Sequence, residues 1–243
     1  MAPWNVVHDN DTFGMEYYSE IGVHMRYQTI LAAMGLVSIL ATAGSASTTA
    51  IEDATNWEIG PDVRGVNYSF NMPLKPTPAG KRGWSFDFPY PSREAGHVHA
   101  ITYNSGPLIN AAKIIMRYRI SAARGVRFEP QESSAYPATV SLYFQRRGDN
   151  WTAKRKYQHY RWYVPEHAVR KLTPGEHEIV VNLSDPNWGS VHSGLAADNA
   201  MYFREALAQT SKIGIAFGTR AARAHGVYST GSARFTLLQF TII

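Results

Sequence analysis

The sequence predicts an all-β protein, an antiparallel two-sheet β-sandwich of jelly-roll type with one short helix. Several short stretches alternate apolar and polar residues, and glycine or proline separates them, which is the pattern of half-buried strands joined by turns. Only one stretch has apolar residues at helical spacing. No internal repeat or change of composition divides residues 57–243, so these residues are predicted to form a single sandwich domain.

The strands are predicted from this alternation. Residues 113–120 alternate most clearly, with four apolar side chains on one face: Ile114, Met116, Tyr118 and Ile120. Basic residues occupy the other face of this stretch, which must therefore meet water or a polar ligand. Shorter stretches of the same kind lie at residues 66–70, 84–88, 98–102, 138–145, 157–164 and 178–183.

The C-terminal residues 212–243 are predicted to form two strands connected by a glycine-containing loop and a turn. Gly218, Gly226 and Gly231 lie where a hairpin would turn, because glycine adopts positive φ without steric cost. Strict alternation in the last strand places one nearly apolar set of side chains on a single face: Thr236, Leu238, Phe240 and Ile242. We expect that strand to have the core on one side.

The predicted helix spans residues 198–209. Asp198 suits the N-cap position, where its carboxylate accepts hydrogen bonds from the free amides of the first turn. Phe203, Ala206 and Leu207 form an apolar stripe at helical spacing. We expect this stripe to pack against the sandwich.

Residues 25–46 have the layout of a secretory signal peptide. Arg26 lies near the start, an apolar run of about a dozen residues follows, and small residues form an A-x-A-like site with cleavage after Ala43 or Ala46. A membrane anchor is the alternative, but the apolar run is shorter than the roughly 20 residues of a span. Residues 1–24 are then an extension from a misassigned start codon, and residues 47–56 are a flexible tail. The protein is expected to be secreted or periplasmic, with no membrane span after signal removal.

Composition excludes several kinds of chemistry. The 243 residues include no cysteine, which excludes disulfides, thiolate catalysis and cysteine-bound metals. Without the first 46 residues the chain has 23 basic and 15 acidic residues, a net charge of +8. That excess favours an anionic partner such as an acidic polysaccharide, a lipid surface or nucleic acid, unless the charges are simply scattered and solvated. The predicted export argues against nucleic acid.

The order of features in residues 180–243 resembles a known family. A loop ending in Trp188 is followed by the short helix, a strand at 213–218, the stretch His225-Gly226-Val227-Tyr228 and a closing strand. This order is similar to the C-terminal half of galactose-binding-like jelly rolls, which occur as carbohydrate-binding modules in secreted bacterial proteins. The resemblance implies a non-catalytic protein that binds a polysaccharide or glycan. No cofactor is predicted; similar sandwiches often hold a structural calcium ion, although no acidic loop here requires one.

The first candidate binding region is the aromatic hairpin at residues 143–163. Trp151 lies near its turn, and four side chains share one face of the predicted strand 157–164: Tyr157, His159, Arg161 and Tyr163. Sugar rings stack their C–H faces on tryptophan and tyrosine, while arginine and histidine bond to sugar hydroxyl groups. The alternative is that this face turns inward and forms core.

The second candidate is the loop at residues 219–228, which carries Arg220, Arg223, His225 and Tyr228. Loops at the ends of a sandwich often carry function because the sheets hold them rigidly. The arginine side chains can grip a carboxylate or sulfate by a bidentate fork. Solvated charges, with His225 capping a turn, are the alternative.

Enzymatic chemistry has weaker support, and no catalytic residue is assigned. Acidic residues are sparse, and neither a nucleophile-elbow nor a zinc-protease motif is present. His97 and His99 could ligate a metal from one strand face but lack a third ligand nearby, so no metal site is predicted.

Two other functions remain open as alternatives. The first is a polysaccharide lyase that uses the tyrosine, histidine and arginine side chains of the hairpin, or a glycoside hydrolase on the same fold. The second is a structural or adhesive role in the cell envelope. A groove that gathers Tyr, His and Arg would favour the enzyme, a flat aromatic strip the binding module, and an exposed apolar edge the structural role.

Overall fold

A computed structural model describes residues 53–80 and 83–243. The predicted extension 1–24 and signal peptide 25–46 lie outside the described residues, as does the first part of the predicted tail. The end of that tail forms a 3-10 turn, Ala54–Asn56, which Asp53 caps through its side chain. Ala54 is buried in the hydrophobic core, so the packed part of the chain includes this turn.

The described residues form sixteen strands, one α-helix and three 3-10 turns. The strands are β1 (Trp57–Gly60), β2 (Asp62–Val63), β3 (Val66–Asn67), β4 (Thr77–Pro78), β5 (Trp84–Asp87), β6 (Ala100–Asn104), β7 (Lys113–Ala122), β8 (Phe128–Pro130), β9 (Thr139–Arg146), β10 (Arg161–Tyr163), β11 (Arg170–Lys171), β12 (Gly175–Asn182), β13 (Gly189–Ser190), β14 (Thr210–Gly218), β15 (Val227–Ser229) and β16 (Ala233–Ile242). The helix is α1 (Ala200–Ala208), and the 3-10 turns are Ala54–Asn56, Arg155–His159 and Glu166–Ala168.

Two antiparallel sheets make a sandwich, which confirms the predicted fold class. The seven-stranded sheet has the order β1-β6-β14-β9-β10-β13, with β11 also paired to β9. The five-stranded sheet has the order β12-β7-β16-β5-β4. The longer strands alternate between the sheets along the chain: β5, β7, β12 and β16 lie in one, and β6, β9 and β14 in the other. This alternation is the jelly-roll arrangement, in which few edges are left open.

The inner faces of the two sheets supply the core, as the alternation predicts. In β7 the four predicted side chains are buried: Ile114, Met116, Tyr118 and Ile120. In β9 the inward set is Val140, Leu142 and Phe144. Full burial of such a side chain contributes about 1.5–3 kcal/mol, so these rows are a main source of stability.

The C-terminal segment is not the hairpin that the sequence predicts. β14 lies inside the seven-stranded sheet and β16 inside the five-stranded sheet, so the loop between them crosses from one layer to the other. Of the three glycines predicted to turn the chain there, Gly226 has positive φ, at 97°. A Cβ atom on Gly226 would lie 2.8 Å from Nε2 of His99, so this position requires glycine on two grounds.

A bulge in β16 overturns the strict alternation predicted for the last strand. The register against β7 shifts between Leu237 and Gln239. One extra residue in a strand reverses the face that the following residues meet. Leu237 and Phe240 are therefore both buried, whereas Leu238 is only partly buried.

The α-helix confirms the predicted element and corrects its start. Its apolar stripe is buried against the core: Phe203, Ala206 and Leu207. The N-cap position is Asn199 rather than Asp198, and no side-chain cap hydrogen bond forms there. The amides of both residues donate to the Leu195 carbonyl oxygen, so a preceding turn places Asp198 one residue ahead of the cap. No helix among the described residues is long and apolar enough to span a membrane.

The aromatic hairpin forms only in part. The predicted strand 157–164 is a strand only at β10, and the 3-10 turn Arg155–His159 precedes it. Left-handed backbone occurs at three non-glycine residues here, with φ of 65° at Trp151, 54° at Ala153 and 56° at Arg155. Such backbone cannot form a strand, and the 3-10 turn that follows takes up residues 155–159, so the predicted alternation fails at Tyr157 and His159.

The outer face of the seven-stranded sheet carries a second apolar cluster. Ala100, Tyr143, Tyr163 and Ala216 point outward from four of its strands and pack with Ala224 of the β14–β15 loop. Tyr143 is fully buried although it lies on the face away from the core. Loops therefore cover this face and leave room for a cleft above it.

Candidate ligand-binding cleft

A cleft of about 840 Å³ lies above the outer face of the seven-stranded sheet. Arg161 and Tyr163 of β10 line its floor, because they alternate with Trp162, which is buried in the core. Its walls come from four segments that are distant in sequence: residues 61–68, 151–153, 187–195 and 220–225. The volume is within the range of small-ligand sites, about 300–1,000 Å³.

Tyr163 lines the floor of the cleft, and the fully buried Tyr143 packs against it. The rings of Tyr143 and Tyr163 lie 5.9 Å apart, and the Tyr143 hydroxyl shares a hydrogen bond of 2.5 Å with Oγ1 of Thr102. Burial raises the pKa of both phenols. Both therefore stay protonated at neutral pH, and Tyr163 presents a neutral aromatic group to the cleft.

Trp151 is held in the wall by a buried ion pair. The guanidinium carbon of Arg161 lies 3.9 Å from the centre of the Trp151 ring, where the cation is attracted to the indole face. Nη1 of Arg161 donates to Oδ2 of Asp149 at 3.2 Å, and Nε2 of Gln145 donates to the same oxygen at 2.7 Å. The Arg161 and Asp149 side chains are 3% and 1% exposed. This network holds the Trp151 ring in the position that the left-handed backbone of that residue gives it.

The rim carries two polar pairs, Arg220 with Glu166 and His225 with Glu132. Nη2 of Arg220 lies 2.5 Å from Oε2 of Glu166, and Nε of the same arginine donates to Oε1 at 2.6 Å, which is a bidentate pair. Nδ1 of His225 lies 2.8 Å from Oε2 of Glu132. All four side chains are about half exposed. Exposed pairs of this kind add little stability, about 0–1 kcal/mol, so their polar groups are available for exchange with a ligand.

Arg223 differs from the other cations of the cleft. Its Nη1 donates to the backbone carbonyl of Val164, and its guanidinium carbon lies 5.8 Å from the centre of the Tyr163 ring. Burial lowers the pKa of Arg223, but an arginine remains a cation at neutral pH. Its charge thus lies directly beside the tyrosine floor.

His99 forms part of the wall as a neutral side chain. Its Nδ1 lies 2.8 Å from the carbonyl oxygen of Ala224, and its Nε2 lies 2.8 Å from Oε1 of Gln131. Burial lowers the pKa of His99 to about 4. The Ala224 carbonyl can only accept, so the neutral ring donates from Nδ1, and Nε2 accepts from the Gln131 side-chain amide with its NH2 group turned toward the ring. Neither nitrogen is therefore presented as a metal ligand. Among residues 53–80 and 83–243, no group of three or more His, Asp or Glu side chains is arranged to hold a metal ion.

The two binding regions predicted from the sequence meet in this one cleft. Six of the nine predicted residues line it: Trp151, Arg161, Tyr163, Arg220, Arg223 and His225. The structure thus brings together the aromatic group from the hairpin and the charged group from the β14–β15 loop. Because the hairpin contributes only Trp151 and β10, the predicted four-residue stripe is reduced to Arg161 and Tyr163.

The other three predicted residues lie outside the cleft lining. Tyr157 packs edge-on against Tyr160, with ring centres 5.1 Å apart. His159 stacks on Tyr202 of α1, with ring centres 4.3 Å apart and planes 1° from parallel. Tyr228 lies in β15, opposite Glu129 of β8. The 3-10 turn directs His159 toward the helix, because the chain there does not alternate as a strand.

Several lining residues were not predicted. Tyr68, Glu132, Glu166 and His99 all contact the cleft, and so does the loop that follows Trp188. That loop contains Gly189, Ser190, Ser193 and Gly194, a composition typical of a binding loop. The other residues gave no local signal, because only the pairing of distant strands brings them to this face.

Comparisons with known proteins found a distant structural match. No protein-family model matches the chain, and no curated protein matches it in sequence. A solved structure described as a non-crystalline cellulose specific carbohydrate-binding module, CBM28, aligns with 81% of this chain and 92% of its own. The aligned residues are 13% identical and the TM-score is 0.41. The fold given above therefore rests on the strand pairing itself.

Proposed function

We propose that the protein binds carbohydrate, without catalysis, in the cleft above the seven-stranded sheet. The observation that carries this proposal is the convergence of Trp151 and Tyr163 with Arg220, Arg223 and His225 in one concave site. Aromatic faces accept the C–H faces of sugar rings, and the charged groups bond to their hydroxyls. The buried network under Trp151 keeps that ring in place before any ligand binds, which reduces the ordering cost of binding.

The polar side chains on the walls of the cleft also support a sugar as the ligand. Asn187, Ser190 and Ser193 line the same cleft and can donate and accept hydrogen bonds. Tyr68 adds a half-exposed aromatic ring on the opposite segment. A ligand with many hydroxyl groups and apolar ring faces matches this mixture better than a purely apolar ligand would.

Titration calorimetry with a panel of neutral and acidic oligosaccharides tests this proposal. We expect binding that Tyr68→Ala and Trp151→Ala weaken by about fivefold or more, as the loss of aromatic contacts of about 1 kcal/mol or more would. Tyr136→Ala is the matched control, because Tyr136 is exposed but does not line the cleft. Equal affinity of all three folded variants would contradict the proposed site, and no binding to any glycan would contradict the function.

A second candidate function, a polysaccharide lyase, is favoured by one observation. Tyr163, Arg223 and His225 line a groove, the arrangement expected of the enzyme, although Tyr157 and His159 of the predicted lyase set lie elsewhere. In a lyase a base takes the C5 proton, a C4–C5 double bond forms, and the C4–O bond breaks as its oxygen gains a proton. Assaying the same binding mixtures for unsaturated products by ultraviolet absorbance separates the two functions, because a binding module forms none.

We also propose that the protein is exported, on the basis of the signal-like layout of residues 25–46. N-terminal sequencing of protein recovered from outside the cytoplasm should begin at Gly44 or Ser47. Recovery of the intact chain from the cytoplasm alone would contradict the export proposal without affecting the binding proposal.

A further inference from the structure

Among the described residues, one cation that lines the cleft lacks an acidic partner. Arg161 is paired with Asp149, Arg220 with Glu166, and His225 with Glu132. Within residues 53–80 and 83–243, no carboxylate oxygen lies within 4.0 Å of the Arg223 guanidinium nitrogens. Arg223 is therefore a cleft cation with a backbone carbonyl as its hydrogen-bond partner and without an acidic one.

Because Arg223 is partly buried, the absence of an acidic partner for its charge is unfavourable. Burial lowers the pKa of Arg223, and the neighbouring charges of Glu166 and Arg220 act on it with opposite signs. Glu166 is already engaged by the bidentate Arg220, so its carboxylate does not form an ion pair with Arg223. A partly buried charge is stabilised best by an opposite charge with which it forms hydrogen bonds.

We propose that Arg223 is the recognition residue for an anionic group on the bound sugar, so that the ligand is an acidic saccharide. This inference rests on the proposed carbohydrate binding and names its substrate class. The Arg223 fork receives the carboxylate or sulfate, and the adjacent Tyr163 ring supports the sugar that carries it. When the anionic group of the ligand is bound, the two cations Arg220 and Arg223 face two anions, Glu166 and that group.

The test compares acidic saccharides with their own neutral forms. Calorimetry on the full chain would use hexasaccharides of polygalacturonate, polyguluronate and polyglucuronate, the same compounds after reduction of their carboxyl groups, and sulfated galactan hexasaccharides. Comparing the uronate with the sulfated hexasaccharides shows whether Arg223 binds a carboxylate or a sulfate. We expect at least one acidic compound to bind about tenfold to a hundredfold more tightly than its neutral form, as a charge-assisted hydrogen bond to a buried group provides.

Variants at two arginines assign that preference to the cleft. Arg223→Gln should reduce the ratio of acidic to neutral affinity to about one, whereas Arg223→Lys, which keeps the charge but not the fork, should retain part of the preference. Arg124→Gln removes the same charge from an exposed turn outside the cleft and should leave the preference intact. Thermal unfolding checks that each variant is folded.

The outcomes separate this inference from the function on which it rests. Equal affinity for acidic and neutral forms, or equal loss in the Arg223 and Arg124 variants, would overturn the role of Arg223 while leaving carbohydrate binding in place. Binding of neither form would overturn both. An acidic preference that disappears only in Arg223→Gln supports the inference.

Discussion

At the scale of single residues, the wall of the cleft depends on a buried ion pair with little access to water. Arg161 and Asp149 are almost completely buried, and Nε of Arg161 has no hydrogen-bond partner among the described residues. Breaking such a pair on one side leaves an uncompensated charge, which costs far more than the pair itself contributes. The position of Trp151 is therefore coupled to the identity of residue 149.

Replacing Asp149 should destabilise the fold strongly. We expect Asp149→Asn to lower the free energy of unfolding by about 3–5 kcal/mol, because Arg161 would remain buried without its counter-ion. Asp87→Asn is the matched control, since Asp87 pairs with Arg234 on the surface and its loss should cost less than about 1 kcal/mol. Urea denaturation of both variants measures the difference, and similar losses would show that the buried pair has no special weight.

His99 should make stability depend on pH. Its pKa is lowered by burial to about 4, against 6.5 for an ordinary histidine, so between these values the unfolded chain binds a proton that the folded chain does not. The free energy of unfolding should then be highest above pH 6.5 and fall as the pH is lowered toward 4, by up to about 3 kcal/mol.

A variant isolates the contribution of His99. Burial also lowers the pKa of His159, so the difference between parent and His99→Gln is the informative quantity. We expect the variant to have the flatter dependence between pH 4 and 6.5 in urea denaturation. Identical slopes in the two proteins would contradict the assignment.

At the scale of secondary structure, local alternation predicted the regular strands and failed where the backbone is irregular. β7 and β9 bury the side chains that their period of two indicates. The segment before β10 departs from that period because it contains left-handed backbone at Trp151, Ala153 and Arg155 and then a 3-10 turn. None of these three residues is a glycine or an asparagine, so the residue types did not predict the left-handed backbone. The sequence does not indicate the bulge in β16 either, because Leu237 and Leu238 are chemically identical.

That bulge gives a direct prediction about the last strand. Strict alternation would place Leu238 and Phe240 on one face, whereas the shifted register buries Phe240 and leaves Leu238 only partly buried. We expect Phe240→Ala to lower the free energy of unfolding by about 3–5 kcal/mol and Leu237→Ala by about 2–5 kcal/mol. Leu238→Ala should cost less than about 1.5 kcal/mol, as a partly exposed side chain does. A loss for Leu238→Ala as large as that for Leu237→Ala would contradict the bulge.

At the scale of the whole molecule, the cleft is a product of topology. The fold class could be predicted from local patterns of residue type, and six of the nine residues predicted as ligand-binding line the cleft. Their convergence could not be predicted, because it depends on β10 and the β14–β15 loop meeting on one face of the seven-stranded sheet. Tyr68, Glu132 and Glu166 escaped prediction for the same reason: each reaches the cleft through contacts between segments far apart in sequence.

The loops that cover this face also explain why the site is concave. A sheet surface alone offers a flat strip, but the second apolar cluster on the outer face anchors the loops that enclose it. Tyr143 and Ala216 contribute to that cluster from two neighbouring strands, so the loops rest on a rigid base. The cleft is therefore largely formed before a ligand enters, which favours affinity by reducing the entropy lost on binding.

The measurement that tests the central claim most directly is a crystal structure of the full chain with the tightest-binding hexasaccharide. The account predicts sugar density in the cleft, with a ring beside Tyr163 or Trp151 and, for an acidic sugar, its anionic group on Arg223. Saccharide density on the five-stranded sheet or elsewhere on the surface, with the cleft empty at saturating ligand, would contradict the proposed site.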